Sequence, residues 1–368
     1  MKKIMKFATG ILTGLLATAL LLSCSGKKAS AGTTEKLTKV NMVSPTAIAS
    51  LDLCWLYAAD GLGLFENEGI KLNLIECTDG SDPKMLASGQ ADFGGFSPSV
   101  GLSSVEAGTS NVQGIVNTVC CNMFGFAYNK ASGIETLKDI EGKSIASLAD
   151  SFYVLFNPIL VAAGVDISTV KYITYGSAEY EALDRNQVPA MGTWLSEYYM
   201  CQGMGYDWGY LSGDDVLPQI ANSLWVNTDF AAKNPEIVKK FAKTIQESIY
   251  ICYKAPEIVA DLVLTRYPSI EITWEGAVGS VKGNVAGMLG MDEASRDAIV
   301  ASKKIGYYDM AIVEQTIQNL VVGGALSKPL DAATYYTNEY LTTDIDFAAI
   351  DKLLDTYEYK SKIYKASH

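Results

Sequence analysis

Residues 77–108 read CTDGSDPKMLASGQADFGGFSPSVGLSSVEAG and predict a helix, a short buried strand and a second helix. Asp82 followed by Pro83 is typical of an N-cap and first turn, because the first helical turn leaves its N–H groups unpaired and proline has none to lose. Gly89 ends this helix, since a left-handed residue costs least without a Cβ. The stretch therefore opens with a short, capped helix.

The strand and the second helix follow at once. Ala91–Gly95 is short and apolar, as expected of a strand buried between helices. Ser97 and Pro98 then repeat the helix-start signal. In open α/β sheets, ligands bind beyond the carboxyl ends of the strands. We therefore expect a ligand site at the two strand-to-helix corners, residues 78–84 and 95–99.

A similar pattern returns 97 residues later. Leu86-x-x-Gly89-Gln90-x-x-x-x-Gly95 is matched by Leu183-x-x-Asn186-Gln187-x-x-x-x-Gly192. Asparagine is the next residue after glycine that tolerates a left-handed helix end, so the substitution keeps the geometry. Two interpretations stay open: a chance match of a few letters, or two similar α/β lobes.

Residues 1–24 have the features of a secretory signal. Three lysines precede an apolar core at 11–22, which is too short to span a bilayer. Leu21-Leu22-Ser23-Cys24 resembles a bacterial lipobox, which implies lipidation of Cys24. The alternative is an ordinary signal peptide with an incidental cysteine. Residues 25–38 are small, polar and charged, and predict a flexible tether.

Composition restricts the class of protein and its partners. No later run approaches the ~18 apolar residues of a membrane helix, so we expect a soluble body on a lipid anchor. The formal net charge is −12, and removing the three signal lysines makes it −15. That charge argues against nucleic acid or anionic lipid as a partner. The 21 Tyr and 5 Trp residues are numerous enough to serve recognition as well as packing.

Cysteine and histidine usage argues against catalysis and metal binding. The six cysteines besides Cys24 form no C-x-x-C pair, and most lie among apolar residues, where a thiol behaves as a small hydrophobe. One disulfide stays open. The only histidine is His368, the last residue. We therefore expect no metal site, no cofactor and no Ser-His or Cys-His nucleophile.

From residue 39 onward, predicted strands alternate with helices, which indicates an α/β fold with a mainly parallel sheet. The order of elements resembles the periplasmic solute-binding proteins of ABC importers, in the nitrate/sulfonate/taurine/thiamine-precursor (SsuA/THI5-like) family. The segments that carry this resemblance, within about residues 40–345, are GLGLFENEGI (61–70), LASGQADFG (86–94), IETLKDIEGK (134–143) and NPEIVKKF (234–241). Pro189 departs from the acidic residue that is usual there, which leaves the corner at 192–199 less defined.

The resemblance implies a two-lobed, type II-like periplasmic-binding-protein fold with two hinge crossings and a ligand in the cleft. Lobe one would comprise 39–126, lobe two 127–223, and 224–368 would return to lobe one, with the C-terminal helices packing on it. The implied protein is a monomer on the extracytoplasmic side of the membrane. Its partners would be a small-molecule ligand and the permease and ATPase subunits of an ABC importer.

The strand-to-helix corners and the first crossing supply the residues expected in the cleft. They are Ser44, Asp52, Trp55, Asp79, Gly80, Phe96, Ser97, Asn122, Ser151, Tyr153, Glu179, Trp194 and Tyr198. Each has a structural alternative: Ser97 is explained equally well as a helix cap, and Trp55 as a core residue. Trp194 follows a strand and precedes a helix, where a large aromatic residue is less often part of the core.

These residues favour one class of ligand. They include several aromatics and acids, and only Lys84 and Arg185 lie nearby as bases. Aromatic rings that can stack, together with carboxylates that accept hydrogen bonds, suit a flat nitrogen heterocycle such as a thiamine-pyrimidine or flavin precursor. A sulfonate, taurine or nitrate ligand is the alternative, although such anions usually need arginine or helix N-termini.

An enzyme is the third possibility. Yeast thiamine-pyrimidine synthases look similar in fold, and Cys120-Cys121 resembles the start of their cysteine-rich motif. Here that motif does not continue, and the histidine that those enzymes use is missing. A binding protein is therefore the interpretation we prefer.

Overall fold

The computed structural model describes residues 37–148 and 152–368. The predicted signal 1–24, with the lipidation residue Cys24, lies outside the described residues, as do the tether up to residue 36 and Ser151. Among the residues that are described, no helix combines the length and apolarity needed to cross a membrane.

Strands and helices alternate over the first two thirds of the described chain, and helices dominate the remainder. The strands are β1 (Thr38–Ser44), β2 (Ile70–Glu76), β3 (Phe93–Phe96), β4 (Val112–Val119), β5 (Phe124–Asn129), β6 (Ser144–Ser147), β7 (Lys171–Thr174), β8 (Ala190–Trp194), β9 (Trp208–Ser212) and β10 (Asn222–Asn227). The helices up to the last strand are α1 (Cys54–Gly61), α2 (Leu64–Asn67), α3 (Asp82–Ala87), α4 (Pro98–Glu106), α5 (Tyr153–Ala162), α6 (Glu179–Asp184) and α7 (Leu195–Gly203). Those after it are α8 (Thr228–Lys233), α9 (Pro235–Lys254), α10 (Pro256–Arg266), α11 (Trp274–Leu289), α12 (Glu293–Ser302), α13 (Met310–Val322), α14 (Ala332–Tyr335), α15 (Phe347–Asp355) and α16 (Lys362–Ser367).

The strands form two five-stranded sheets of matching topology. The first has the order β2-β1-β3-β10-β4 and the second β7-β6-β8-β5-β9. In each sheet the first three strands run parallel and the fourth is antiparallel to both of its neighbours. We call the half built on the first sheet lobe one and the half built on the second lobe two. The α/β class and the two-lobed periplasmic-binding-protein fold are confirmed, but each sheet is mixed and not mainly parallel as the sequence predicts, because its fourth strand runs antiparallel.

The sequence repeat occupies equivalent places in the two sheets. The first copy ends α3 and leads into β3, and the second ends α6 and leads into β8; both strands are third in their sheets. Gly89 and Asn186 are both left-handed, with φ of 76° and 52°. The repeat therefore reflects two similar lobes, because the same helix-to-strand turn is needed in each.

Lobe one buries its sheet beneath helices from the C-terminal part of the chain. Pro235 starts α9, and apolar residues three and four positions apart turn one face of this helix inward, including Val238, Phe241, Ala242 and Ile245. The Phe241 ring stacks on Phe93 of β3 at 4.1 Å between centroids. This packing fixes the central strand of the first sheet.

The chain passes between the lobes at 120–123, from β4 to β5, and at 213–221, from β9 to β10. In addition, α11 packs along α7 of lobe two, so the C-terminal helices do not pack on lobe one alone. A Cβ at Gly279 would lie 2.3 Å from the Tyr199 carbonyl oxygen, and one at Gly283 would lie 2.4 Å from that of Leu195. Glycine on α11 is therefore required for the two backbones to come this close.

Candidate ligand-binding site

A cavity of about 560 Å³ lies where the strand-to-helix corners of the two lobes meet. This volume is within the range of about 300–1,000 Å³ of small-molecule sites. It is lined by Pro45, Thr46, Asp52, Leu53, Trp55, Cys77, Thr78, Gly80, Asp82, Gly95, Phe96, Ser97, Val100, Thr118, Val119, Met123, Trp194, Leu195, Ser196, Asn222, Gly283, Asn284 and Gly287.

The cavity wall is aromatic and acidic. Among the lining residues of the described chain there are three large aromatics and two aspartates, Asp52 and Asp82, but no lysine or arginine. A bound anion would therefore meet two carboxyl groups and no basic side chain to offset them. The wall instead suits a flat molecule that offers hydrogen-bond donors.

Asp52 connects the two lobes across the cavity. It lies in a single 3₁₀ turn, Leu51–Leu53, and its Oδ1 accepts a hydrogen bond from Ser196 Oγ of α7 at 2.8 Å. Its Oδ2 accepts another from Ser50 Oγ at 3.3 Å. The Asp52 carboxylate is thus held by partners from both lobes.

Asp82 behaves differently from the sequence-based expectation. It is not the N-cap of α3; that place belongs to Ser81, which forms no side-chain capping bond, and Asp82 is the first helical residue. Its side chain is only 1% exposed, and its Oδ2 has no hydrogen-bond partner among the described residues. Burial raises the pKa of this carboxyl group. Asp82 belongs to the corner at 78–84, where a ligand site is expected from the sequence, and it lines the cavity.

The second helix start does have its predicted cap. Ser97 is the N-cap of α4, and its Oγ accepts from the Val100 N–H at 3.4 Å. The same hydroxyl lies 2.8 Å from Ser99 Oγ. Because Ser97 also lines the cavity, capping and contact with a ligand are compatible for this side chain.

Part of the sequence-predicted site comes together in the cavity. The residues from that set that line it are Asp52, Trp55, Gly80, Phe96, Ser97 and Trp194. Their aromatic side chains differ in how deeply they are buried. The Phe96 ring is buried and stacks on Trp225 at 5.4 Å between centroids, whereas Trp194 is only partly buried at the end of β8. Trp55 packs in the lobe-one core and presents one edge of its indole near Gly95.

Three further predicted residues of lobe one and the crossing lie beside this cavity without lining it. Ser44 is buried at the end of β1 and bonds to Thr46. Asp79 is exposed in a turn, where its carboxylate accepts from the Ser81 N–H at 3.0 Å. Asn122 joins the two crossings between the lobes. Its backbone N–H donates to Asp214 Oδ1 at 2.7 Å, and its Nδ2 donates to the Leu217 carbonyl oxygen at 3.1 Å.

The predicted lobe-two residues Tyr153, Glu179 and Tyr198 also do not line the cavity. Tyr153 is 48% exposed at the start of α5. The Tyr198 ring stacks on Tyr210 at 4.7 Å between centroids, inside the lobe. Glu179 is 2% exposed in the lobe-two interior.

Several lining residues were not predicted. Thr118, Val119 and Met123 belong to the first crossing or its flanks, and Gly283, Asn284 and Gly287 come from α11. Ser196 lies in the corner at 192–199, which the sequence does place at the cleft. The one available signal was the glycine spacing of α11, with Gly276, Gly279, Gly283 and Gly287 three or four residues apart. That spacing indicates a close helix contact, but not which helix is contacted.

Glu179 gives a prediction for stability. Burial is the main cause that raises the pKa of Glu179 to about 8, and the negative charge of the nearby Glu197 is the second. Glu179 Oε2 has no hydrogen-bond partner in the described chain. In the unfolded chain the group ionises near its ordinary pKa of about 4.3. At pH values between these two pKa values, the folded protein keeps a proton on Glu179 that the unfolded chain has released. The stability that goes with protonated Glu179 is therefore lost as the pH rises toward 8.

Glu179→Gln removes the titrating carboxyl group and with it the dependence of stability on the protonation of residue 179. We expect the variant to match the wild type at pH 4 and to exceed it by about 1–3 kcal/mol at pH 8. Denaturant unfolding at both pH values tests this. An equal effect of the substitution at pH 4 and pH 8 would mean that Glu179 does not titrate with folding.

Known proteins of two kinds are similar to this chain in sequence. The riboflavin-binding protein RibY of Chloroflexus aurantiacus is 24% identical over 303 residues, covering 80% of this chain and 84% of RibY. The 4-amino-5-hydroxymethyl-2-methylpyrimidine phosphate synthase of Aspergillus parasiticus is 25% identical over 208 residues, which cover 52% of this chain and 60% of the synthase.

A binding protein is similar in structure. The periplasmic sulfonate-binding protein SsuA from Methylobacillus flagellatus KT superposes with a TM-score of 0.57 at 15% identity, over 89% of this chain and 99% of SsuA. The NMT1/THI5-like family matches residues 51–258, which is more than half of the sequence. The chain therefore belongs to the NMT1/THI5-like family.

Proposed function

We propose that the protein is an extracytoplasmic solute-binding lipoprotein that captures a flat nitrogen heterocycle between its lobes and delivers it to an ABC importer. The observation that carries the proposal is the cavity wall, which combines aromatic side chains with two aspartates and has no basic residue among the described lining. Trp194 and Trp55 come from different lobes and supply aromatic surface for a planar ring.

The relatives agree with a heterocyclic ligand. RibY is named for binding riboflavin, and the Aspergillus protein for making a phosphorylated pyrimidine. Both molecules are planar nitrogen heterocycles with N–H or amino groups at an edge. A thiamine-pyrimidine or flavin precursor is therefore the ligand class that we propose.

An anionic ligand is the second candidate. The structurally similar SsuA is named for binding sulfonate, and helix N-termini in general bind anions. Against it, Asp52 and Asp82 both line the cavity, and no basic residue does so among the described lining. Binding of an alkanesulfonate or nitrate in preference to any heterocycle would favour this alternative.

A pyrimidine-synthase-like enzyme is the third candidate, because a named synthase is related over part of the chain. Cys120 and Cys121 lie in the first crossing, and Cys121 is buried. Among the lining residues of the described chain there is one cysteine, Cys77, and no histidine. A binder returns its ligand unchanged, whereas an enzyme of this kind does not.

One experiment distinguishes the three candidates. The purified protein is denatured, and released small molecules are identified by mass spectrometry; the refolded protein is then titrated calorimetrically with riboflavin, 4-amino-5-hydroxymethyl-2-methylpyrimidine, an alkanesulfonate and nitrate. We expect one heterocycle to bind and to be recovered intact. Binding of only the anions, or recovery of a chemically altered heterocycle, would contradict the proposal.

The proposed anchor has its own test. If Cys24 is lipidated, Cys24→Ala moves the protein from the membrane fraction to the soluble fraction and leaves ligand affinity unchanged, because the anchor lies before the folded domain. Fractionation with immunoblotting measures this, with Cys77→Ala as a control that stays in the membrane fraction. A Cys24→Ala protein that remains membrane-bound would rule out the lipid anchor.

A further inference from the structure

We propose that Asp82 selects the ligand by accepting a hydrogen bond from an N–H group at the edge of the bound heterocycle. This inference rests on the proposed function and adds the chemical group that is recognised. Asp82 lines the cavity, its side chain is 1% exposed, and its Oδ2 has no hydrogen-bond partner among the described residues.

An unpaired buried carboxyl oxygen is unusual. Buried polar groups in folded proteins almost always have a partner, because burial removes them from water. Other aspartates of lobe one follow this rule: Asp52 accepts from Ser196 Oγ at 2.8 Å, and Asp92 accepts from the Asn41 N–H at 2.8 Å. Asp82 is the cavity-lining acid that lacks one.

The local sequence explains why the protein itself does not satisfy this oxygen. Pro83 follows Asp82 and has no N–H to donate. Ser81, on the other side, directs its hydroxyl to Asp79 Oδ1 at 2.7 Å. Neither flanking residue thus donates a hydrogen bond to Asp82 Oδ2, which is buried and has no partner among the described residues.

The partner that fits is a donor in a flat molecule. A carboxyl group keeps an acceptor oxygen in either protonation state, so the raised pKa of Asp82 does not remove this capacity. The imide N–H of an isoalloxazine and the amino group of an aminopyrimidine are donors of the required kind. An anion without N–H groups offers nothing to this oxygen.

Recognition of this kind predicts discrimination against ligands that lack the donor. Riboflavin is compared with 3-methylriboflavin, and 4-amino-5-hydroxymethyl-2-methylpyrimidine with its N,N-dimethyl analogue. We expect the wild type to bind the N–H member of the recognised pair about 10- to 100-fold more tightly. A site that depends on a ligand hydrogen bond rejects the analogue that cannot make it.

Asp82→Leu tests the residue. We expect it to bind both members of the pair with similar, weakened affinity, because its acceptor is gone. The apo variant should melt at or above the wild-type temperature, since an unpaired carboxyl group is replaced by an apolar side chain. Asp82→Asn keeps the shape and retains part of the discrimination. Asp92→Asn is the control: Asp92 is a partly buried acid of the same lobe that accepts from the Asn41 N–H and does not line the cavity, so discrimination should be unchanged.

The outcomes separate the two proposals. If the wild type binds a heterocycle but Asp82→Leu and Asp82→Asn discriminate as it does, this inference is overturned and the proposed function stands. The same holds if the wild type binds both members of every pair equally. If the wild type binds no heterocycle at all, both proposals are overturned.

Discussion

Trp194→Ala is expected to weaken heterocycle binding by about 30- to 1,000-fold while the apo protein melts within a few degrees of the wild type. Trp194 ends β8 and occupies the N-cap position of α7, with its side chain partly buried in the cavity wall. Truncating a buried aromatic anchor typically costs about 2–4 kcal/mol of binding. Because Trp194 is only partly buried, we expect its truncation to cost less stability than that of a fully buried tryptophan.

For a tryptophan of the core, we expect truncation to reduce the stability of the apo protein rather than its ligand affinity. Trp208 is buried in lobe two and stacks on Tyr206 at 4.4 Å between centroids, outside the cavity. Trp208→Ala should therefore lose about 3–5 kcal/mol of stability. Calorimetric melting of both apo variants, followed by ligand titration, separates the two roles. A large melting loss for Trp194→Ala with intact affinity would mean that the ligand lies elsewhere.

Gly283→Ala is expected to reduce both stability and ligand affinity. A Cβ at this position would lie 2.4 Å from the Leu195 carbonyl oxygen and 2.6 Å from the Ser196 Cα, both in the backbone of α7. The helices must then separate, at a cost of about 1–3 kcal/mol or more. Because α7 carries Ser196 and follows Trp194, the movement also displaces the lobe-two side of the cavity, and we expect affinity to fall at least about tenfold.

Gly287→Ala is the matched control. It makes the same substitution one turn later on α11, where the nearest atom to a new Cβ is the Val119 side chain at 3.2 Å. Both variants gain the same helix propensity, about 1 kcal/mol. Gly287→Ala should therefore stay close to the wild type in denaturant unfolding, and it serves as a control for stability alone because Gly287 also lines the cavity. Equal behaviour of the two variants would contradict the tight α7–α11 contact.

Local chemistry explains why much of the fold was predictable. Helix starts and ends depend on neighbours in sequence, so Ser97 caps α4 as predicted, and Gly89 and Asn186 both take the left-handed conformation. The alternation of strands and helices then predicted the α/β class. The corners at 78–84 and 95–99 contribute Thr78, Gly80, Asp82 and 95–97 to the cavity, because parallel strands place their carboxyl ends at one edge of a sheet.

The direction of a side chain on a short helix was less predictable. Glu179 belongs to α6, which has six residues, too few for its periodicity to distinguish an inward face from a cleft-facing one. The structure turns Glu179 into the lobe-two interior. Asp82 shows the reverse case: its sequence context is typical of a cap, and only the surrounding packing leaves its Oδ2 buried without a partner among the residues that the structure describes.

The sequence by itself determined the alternation of elements, the paired helix-to-strand turns of the two lobes and the acidic, aromatic character of the strand-to-helix corners. Only the tertiary structure decided that α11 closes one side of the cavity, bringing Gly283 and Asn284 next to Ser196, and that Asp52 bonds across the lobes. The physical reason is distance along the chain. Asp52 and Ser196 are 144 residues apart, and no local propensity encodes which distant helix will meet a glycine face.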